Sequence, residues 1–167
     1  EVLEAFIRKY IESSGSAEIN FSWQGGEPTL AGIDLFKKVI ELEKKYGAGK
    51  RIGNAFQTDG IVLDDEWGRF LADNKLLVGI SIDGPEELHN AHRKNRAGKN
   101  SFKQVMRGID VLKKHNVQFN TLTVVNDLNS RYPLEVYDLL KSIGSRFLQF
   151  IPIVKRIALD RNKPLKL

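Results

Sequence analysis

Along this chain the apolar pattern exchanges a period near 3.6 for a period of two, again and again, and that exchange constrains the fold more than any other feature. Val2, Leu3, Phe6, Ile7, Tyr10 and Ile11 fall on one helix face, and "AEINFSW" (17–23) then alternates as a strand. Phe36, Val39, Ile40 and Tyr46 form the next stripe, before "RIGNAFQT" (51–58). Trp67, Phe70 and Leu71 precede "LLVGISID" (76–83), and Phe102, Val105, Met106, Ile109 and Leu112 precede "VQFNTLTVV" (117–125). "YPLEVYDLLKSIG" then leads into "RFLQFIPIV" (146–154). Strict alternation of helix and strand predicts an α/β fold, a parallel sheet with right-handed crossovers. The third strand is apolar at nearly every position, as suits a strand covered on both faces. A doubly wound sheet and an arc of a (β/α) barrel both satisfy the pattern.

Local signals place the ends of these elements. Asp34 and Asp64 read as helix N-caps, Gly47 as a stop, and Ser101 with Gln104 as a capping box. Pro133 suits a first helical position, and His115 lies near a helix C-terminus, where positive charge is favoured. "GPEELHNAHRKNRAGKN" (84–100) reads as a long polar loop, functional or mobile. Residues 155–167 show no pattern and read as a tail.

The 167 residues suffice for one domain with a proper core, and no apolar run reaches the ~18 residues of a membrane span. The net charge of +5 comes from basic residues scattered over helix faces, with no basic–aromatic stripe, so nucleic acid is not the expected partner. There is no cysteine, which removes disulfides and thiolate metal sites from these residues and fits a reducing cytoplasm. His89 and His92 lack a third metal ligand, and Ser81 lacks a nucleophile-elbow context. No G-x-G-x-x-G or P-loop run is present.

Unusual residues recur where strands end: Gln24-Gly25-Gly26-Glu27-Pro28, Gln57-Thr58-Asp59-Gly60, Ser81-Ile82-Asp83-Gly84-Pro85 and Val125-Asn126. Both candidate folds place ligands at that edge. Two glycines permit positive φ and close approach to the backbone. Glu27 could accept from an ammonium group or could orient the turn. Arg93 and Arg96 could be solvated or could clamp a carboxylate over the crevice.

In order, "WQGGEPTL", "QTDG", "SIDGP", "HNAHRKNRAGKNSF", "NTLTVVN" and "LQFIPIV" resemble the radical S-adenosylmethionine superfamily, and within it the anaerobic sulfatase-maturating enzymes, or arylsulfatase regulators. The resemblance covers about residues 19 to 154. It implies a partial (β/α) barrel of the radical SAM type, with about five parallel strands and helices on the outer face. It implies S-adenosylmethionine and [4Fe-4S] clusters as cofactors, and oxidation of a cysteine or serine in an unfolded sulfatase polypeptide to Cα-formylglycine. An electron donor such as flavodoxin or ferredoxin is implied too.

Carried over by motif, Gly25, Gly26 and Glu27 would receive the methionyl amino group, Ser81 the ribose or carboxylate, and Arg93 the carboxylate. Val154 would pack near the adenine, and Gln24, Gln57 and Asp59 would lie toward the substrate. Asp59 stands where relatives commonly have asparagine. The cluster-binding cysteine motif is absent, so residues 1–154 read as an incomplete core domain, and 155–167 as a tail toward a missing C-terminal domain. Such a piece is expected to be inactive alone, to bind no cofactor, and to expose its first strand as an edge open to self-association. The alternatives are another peptide-modifying enzyme of the superfamily and a non-catalytic α/β binding module.

Overall fold

A computed structural model describes residues 1–154. Its helices are α1 (Val2–Ser13), α2 (Ile33–Tyr46), α3 (Asp65–Asp73), α4 (Glu86–His92), α5 (Phe102–Lys114) and α6 (Pro133–Ser142). Its strands are β1 (Glu18–Trp23), β2 (Arg51–Thr58), β3 (Leu77–Ser81), β4 (Phe119–Val125) and β5 (Leu148–Pro152). Every strand pairing is parallel, and the order is β1-β2-β3-β4-β5. A doubly wound sheet reverses its strand order at a switch point. Here the order never reverses, so right-handed crossovers put all connecting helices on one face. Of the two architectures open to the sequence, the barrel arc is the one formed.

The core lies between the helices and the outer face of the sheet. Ile19, Phe21, Phe56, Val78, Ile80 and Ile82 face the helices and meet Ile7, Ile11, Phe36, Val39, Trp67, Leu71, Ile109 and Leu112. Burying each large side chain contributes about 1.5–3 kcal/mol. Phe36 stands edge-on to Phe56, with ring centroids 4.9 Å apart, and joins Trp23 to Trp67 in one aromatic cluster. No helix among the described residues is long and apolar enough to cross a membrane.

The opposite, concave face carries Gln57, Ser81 and Asn120 among the apolar Leu77, Leu122 and Ile151. In-register parallel neighbours point the same way, so Gln57, Gly79 and Asn120 share one row, and Ser81 and Leu122 the next. Gln57 lies flat across Gly79, where an added Cβ would collide with its Oε1. β1 and β5 flank the sheet, so the expected edge position of the first strand is observed. On β5, Phe150 and Ile151 remain well exposed.

Several local expectations need correction. Residues 84–100 are not one loop: Glu86–His92 form α4, and Lys94 pairs with Asn100 across a tight return. Pro85 at the N-cap with Glu86 and Glu87 in the first turn favours that helix. The Ser101–Gln104 capping box does not form, because the Ser101 hydroxyl donates to Arg93 O. Asn90 Oδ1 accepts from the Ser101 and Phe102 amides instead. Asp34 lies inside the first turn of α2 and does not cap it; the N-cap is Gly32, which follows a short 3-10 helix, Pro28–Ala31. Asp64 does cap α3, accepting from Trp67 N, and Pro133 opens α6. His115 is the C-cap of α5, and its Nε2 meets Asp65 Oδ1 at 2.7 Å. The expected tail at 155–167 lies outside the described residues.

Candidate functional site

All the strand-end motifs emerge at one rim of the sheet, because parallel strands share a C-terminal edge. The first turn is organised by Glu27. Its Oε1 accepts from Thr29 N, Thr29 Oγ1 and Thr58 Oγ1 at 3.0, 2.7 and 2.7 Å, and its Oε2 accepts from Asp59 N at 2.7 Å. One carboxylate thus caps the 3-10 helix and ties the end of β1 to the end of β2. Of the two roles left open for Glu27, orienting the turn is the one its bonds serve here. Gly25 and Gly26 precede it with φ of 98° and 60°, a region that favours glycine. A Cβ at either would meet no atom within 4 Å, so the turn presents bare backbone to open space.

Asp59 sits beside Glu27, and its Oδ1 accepts from Ile61 N. Burial raises the Asp59 carboxyl above the usual carboxylate range; the Ile61 amide opposes this, and the neighbouring Glu27 charge adds to it. Gln57 Nε2 donates to Ser81 Oγ at 3.1 Å, linking the ends of β2 and β3. Asp59, Ser81 and Arg93 line one cleft of about 230 Å³ together with His92 and Lys94. The expected cofactor residue Ser81 and the expected substrate-side residue Asp59 therefore share a pocket.

Arg93 is not a free cation. Its Nε and one terminal nitrogen donate to the buried Asp83 carboxylate at 2.6 and 3.1 Å. Asp83 Oδ1 also accepts from Val124 N. Any further anion would meet the remaining edge of a guanidinium already held in place. Gln24 is exposed beside the glycine turn, and Val154 is exposed beyond β5. Val154 lies at the same rim as Gly26 and Ser81 but at the far end of the sheet, four strands from β1.

Sequence reasoning missed a second layer of polar residues. His89 is fully buried; its Nδ1 accepts from Asp83 N at 3.3 Å, so its Nε2 carries the proton toward Ser101 Oγ at 3.0 Å. Burial, helped by the Arg93 charge, pushes His89 down to about 4. Asn129 Nδ2 donates to Asp83 O and Val124 O, closing the tops of β3 and β4. The available signal was polar residues in a segment flanked by strand ends, which does not separate a buried network from a solvated loop.

The family model of the Radical SAM superfamily matches residues 1–140, and the chain belongs to that superfamily. Within it, the chain is similar to anaerobic sulfatase-maturating enzymes. It is 49% identical to the serine-type enzyme of Bacteroides thetaiotaomicron over 94% of this chain and 38% of that protein. It is 39% identical to a cysteine-type enzyme of Clostridium perfringens over 98% of this chain and 44% of that protein. A solved structure described as native anSMEcpe with bound AdoMet and Cp18Cys peptide superposes with a TM-score of 0.87 at 41% identity, covering 90% of this chain and 42% of that one. The chain therefore spans about two fifths of the length of the relatives it matches.

Proposed function

We propose that this chain is the cofactor-cradling part of a radical S-adenosylmethionine enzyme that oxidises a cysteine or serine side chain of an unfolded sulfatase segment to formylglycine. The observation that carries the reading is the open glycine turn, clamped by Glu27 at the same rim as Ser81 and Arg93.

S-adenosylmethionine fits the residues present. Positive-φ glycines with nothing above them let backbone carbonyls reach an ammonium group, as a side chain there would not. Gly25 and Gly26 would hold the methionyl amino group, with Glu27 keeping their turn in shape. Ser81 and the outer edge of Arg93 would meet the carboxylate or ribose, and Val154 would lie toward the adenine. When bound, S-adenosylmethionine would supply radical hydrogen-abstraction chemistry at this rim. An iron–sulfur cluster finds no thiolate ligands here, since the 167 residues contain no cysteine.

The chain's own residues bind and orient. Gln24, Gln57 and Asp59 stand on the side open to a peptide, with Gln57 held by Ser81. Gln57 and Ser81 offer polar groups on the concave face to an extended polypeptide, and the neighbour solved with a peptide supports that substrate class. A small redox protein would supply electrons, and the cysteine-free sequence suits a reducing cytoplasm.

The test uses the full-length protein, reconstituted under anaerobic conditions with S-adenosylmethionine and a chemical reductant. Sulfatase peptides bearing cysteine or serine should gain an aldehyde captured by a hydrazide probe. A thioether crosslink in place of an aldehyde would assign the chain to another peptide-modifying branch. Failure to cleave S-adenosylmethionine with any peptide would favour a non-catalytic module.

A further inference from the structure

One buried acid serves no bond described so far. Glu43, in the last turns of α2, is 4% exposed and lies among the buried residues Phe36, Val39 and Leu42 of that helix. Its Oε2 accepts from Asn54 Nδ2 at 2.8 Å, and its Oε1 is buried without a hydrogen-bond partner. Asn54, on β2, presents Oδ1 to Trp23 Nε1 at 2.7 Å. Trp23 ends β1 and is covalently joined to Gln24, where the glycine turn begins.

We propose that Glu43 is a positioning residue for the Gln24–Glu27 turn, acting through Asn54 and the Trp23 indole. The inference rests on the reading of that turn as the cofactor's seat.

The chemistry of the relay fixes its direction. A carboxylate in this position only accepts, and an indole N–H only donates. Asn54 can satisfy both neighbours in one amide orientation alone. A flipped amide would set donor against donor and acceptor against acceptor. Glu43 therefore locks Asn54, and Asn54 locks the indole, whose ring is already stacked on Phe21 and edge-on to Phe36. The last side chain before the turn is held by both packing and polarity.

Stability alone does not account for an acid here. A buried carboxylate with a single hydrogen bond costs more than an apolar side chain of similar size. Burial pushes the Glu43 carboxyl up to about 6, opposed by the Asn54 amide. Glu43 and Asn54 themselves line a cavity of about 420 Å³ with Lys44, Lys50, Asp73 and Lys75, none of which is bonded to Glu43.

The test compares Glu43→Leu, Glu43→Gln and Asn54→Leu in the full-length protein. Hydrogen exchange is read by mass spectrometry over residues 21–30, beside thermal melting and calorimetric affinity for S-adenosylmethionine. Losing one net hydrogen bond of about 1 kcal/mol corresponds to about fivefold. Glu43→Leu and Asn54→Leu should speed exchange at 21–30 about fivefold and weaken binding by a similar factor. Glu43→Leu should do so with no loss of melting temperature, and Glu43→Gln, which keeps an acceptor for Asn54, should stay near wild type. Unchanged exchange at 21–30 in Glu43→Leu would overturn the proposal, as would a uniform rise across the chain with a lower melting temperature. Faster exchange at the turn with unchanged affinity would uphold the relay and sink the reading of the turn as the cofactor's seat.

Discussion

Arg93 grips Asp83 through two nitrogens, at 2.6 and 3.1 Å, and so fastens the segment after α4 to the top of β3. The carboxylate is buried and the guanidinium is about a quarter exposed. The same carboxylate receives Val124 N, so one group joins β3, β4 and the return toward α5. The rim of the cleft is a braced frame in which Arg93 is fixed by Asp83.

Breaking the fork should therefore loosen the rim. Asp83→Asn should cost about 2–3 kcal/mol in urea unfolding, below the range for a fully buried pair because Arg93 is partly solvated. A double-mutant cycle with Arg93→Ala should return a coupling of about 1–2 kcal/mol. Arg93→Lys should fail to restore stability, since an ammonium cannot reproduce a planar fork. Strict additivity in the cycle would show that the two residues do not act as a pair.

Gly26→Val separates binding from folding. The surrounding space is empty, so the cost to the fold is backbone strain at φ 60°, about 1–3 kcal/mol. If backbone carbonyls of this turn meet the cofactor, S-adenosylmethionine affinity in the full-length protein should fall by more than tenfold. Calorimetry beside thermal melts would read the two effects. Unaltered affinity would remove the turn from the binding site.

His89 makes stability depend on acid. Its folded value, about 4, lies below its ordinary 6.5, so the unfolded chain binds the proton more readily. Its contribution is complete above pH 6.5 and is lost as pH falls toward 4, by at most about 3 kcal/mol. Glu43 acts with the opposite sign: its raised value lets the folded state take up a proton first, between about 6 and 4.5, which favours folding. The difference between wild type and His89→Asn in urea melts from pH 7.5 to 4.5 isolates the histidine. That difference should shrink as the pH falls; a constant difference would contradict a buried neutral His89.

The five strands and five of the six helices are legible because each carries a regular apolar stripe or run, even β5, none of whose residues is fully buried. Phe102, Val105, Ile109 and Leu112 recur at helical spacing, and "RIGNAFQT" matches β2 residue for residue. α4 has no such stripe. Its buried positions include His89 and Asn90, polar side chains that pay for burial with bonds to Asp83 N, Ser101 and Phe102. A helix packed by hydrogen bonds resembles a loop when only hydrophobicity is read. Ser101 misled for a related reason: a serine before a helix can cap it, and a tertiary partner, Arg93 O, took the hydroxyl instead.

Strand and helix order, the parallel sheet and the clustering of odd residues at strand ends were settled by the chain's own periodicity, which needs only neighbours a few residues apart. Which of those residues meet was settled by register. Gln57 reaches Ser81 across Gly79, and Glu27 reaches Thr58 and Asp59, only because β1, β2 and β3 stand side by side in one alignment. Such contacts join positions more than twenty residues apart. Their geometry depends on how strands are offset and how the sheet curls, which no local spacing encodes.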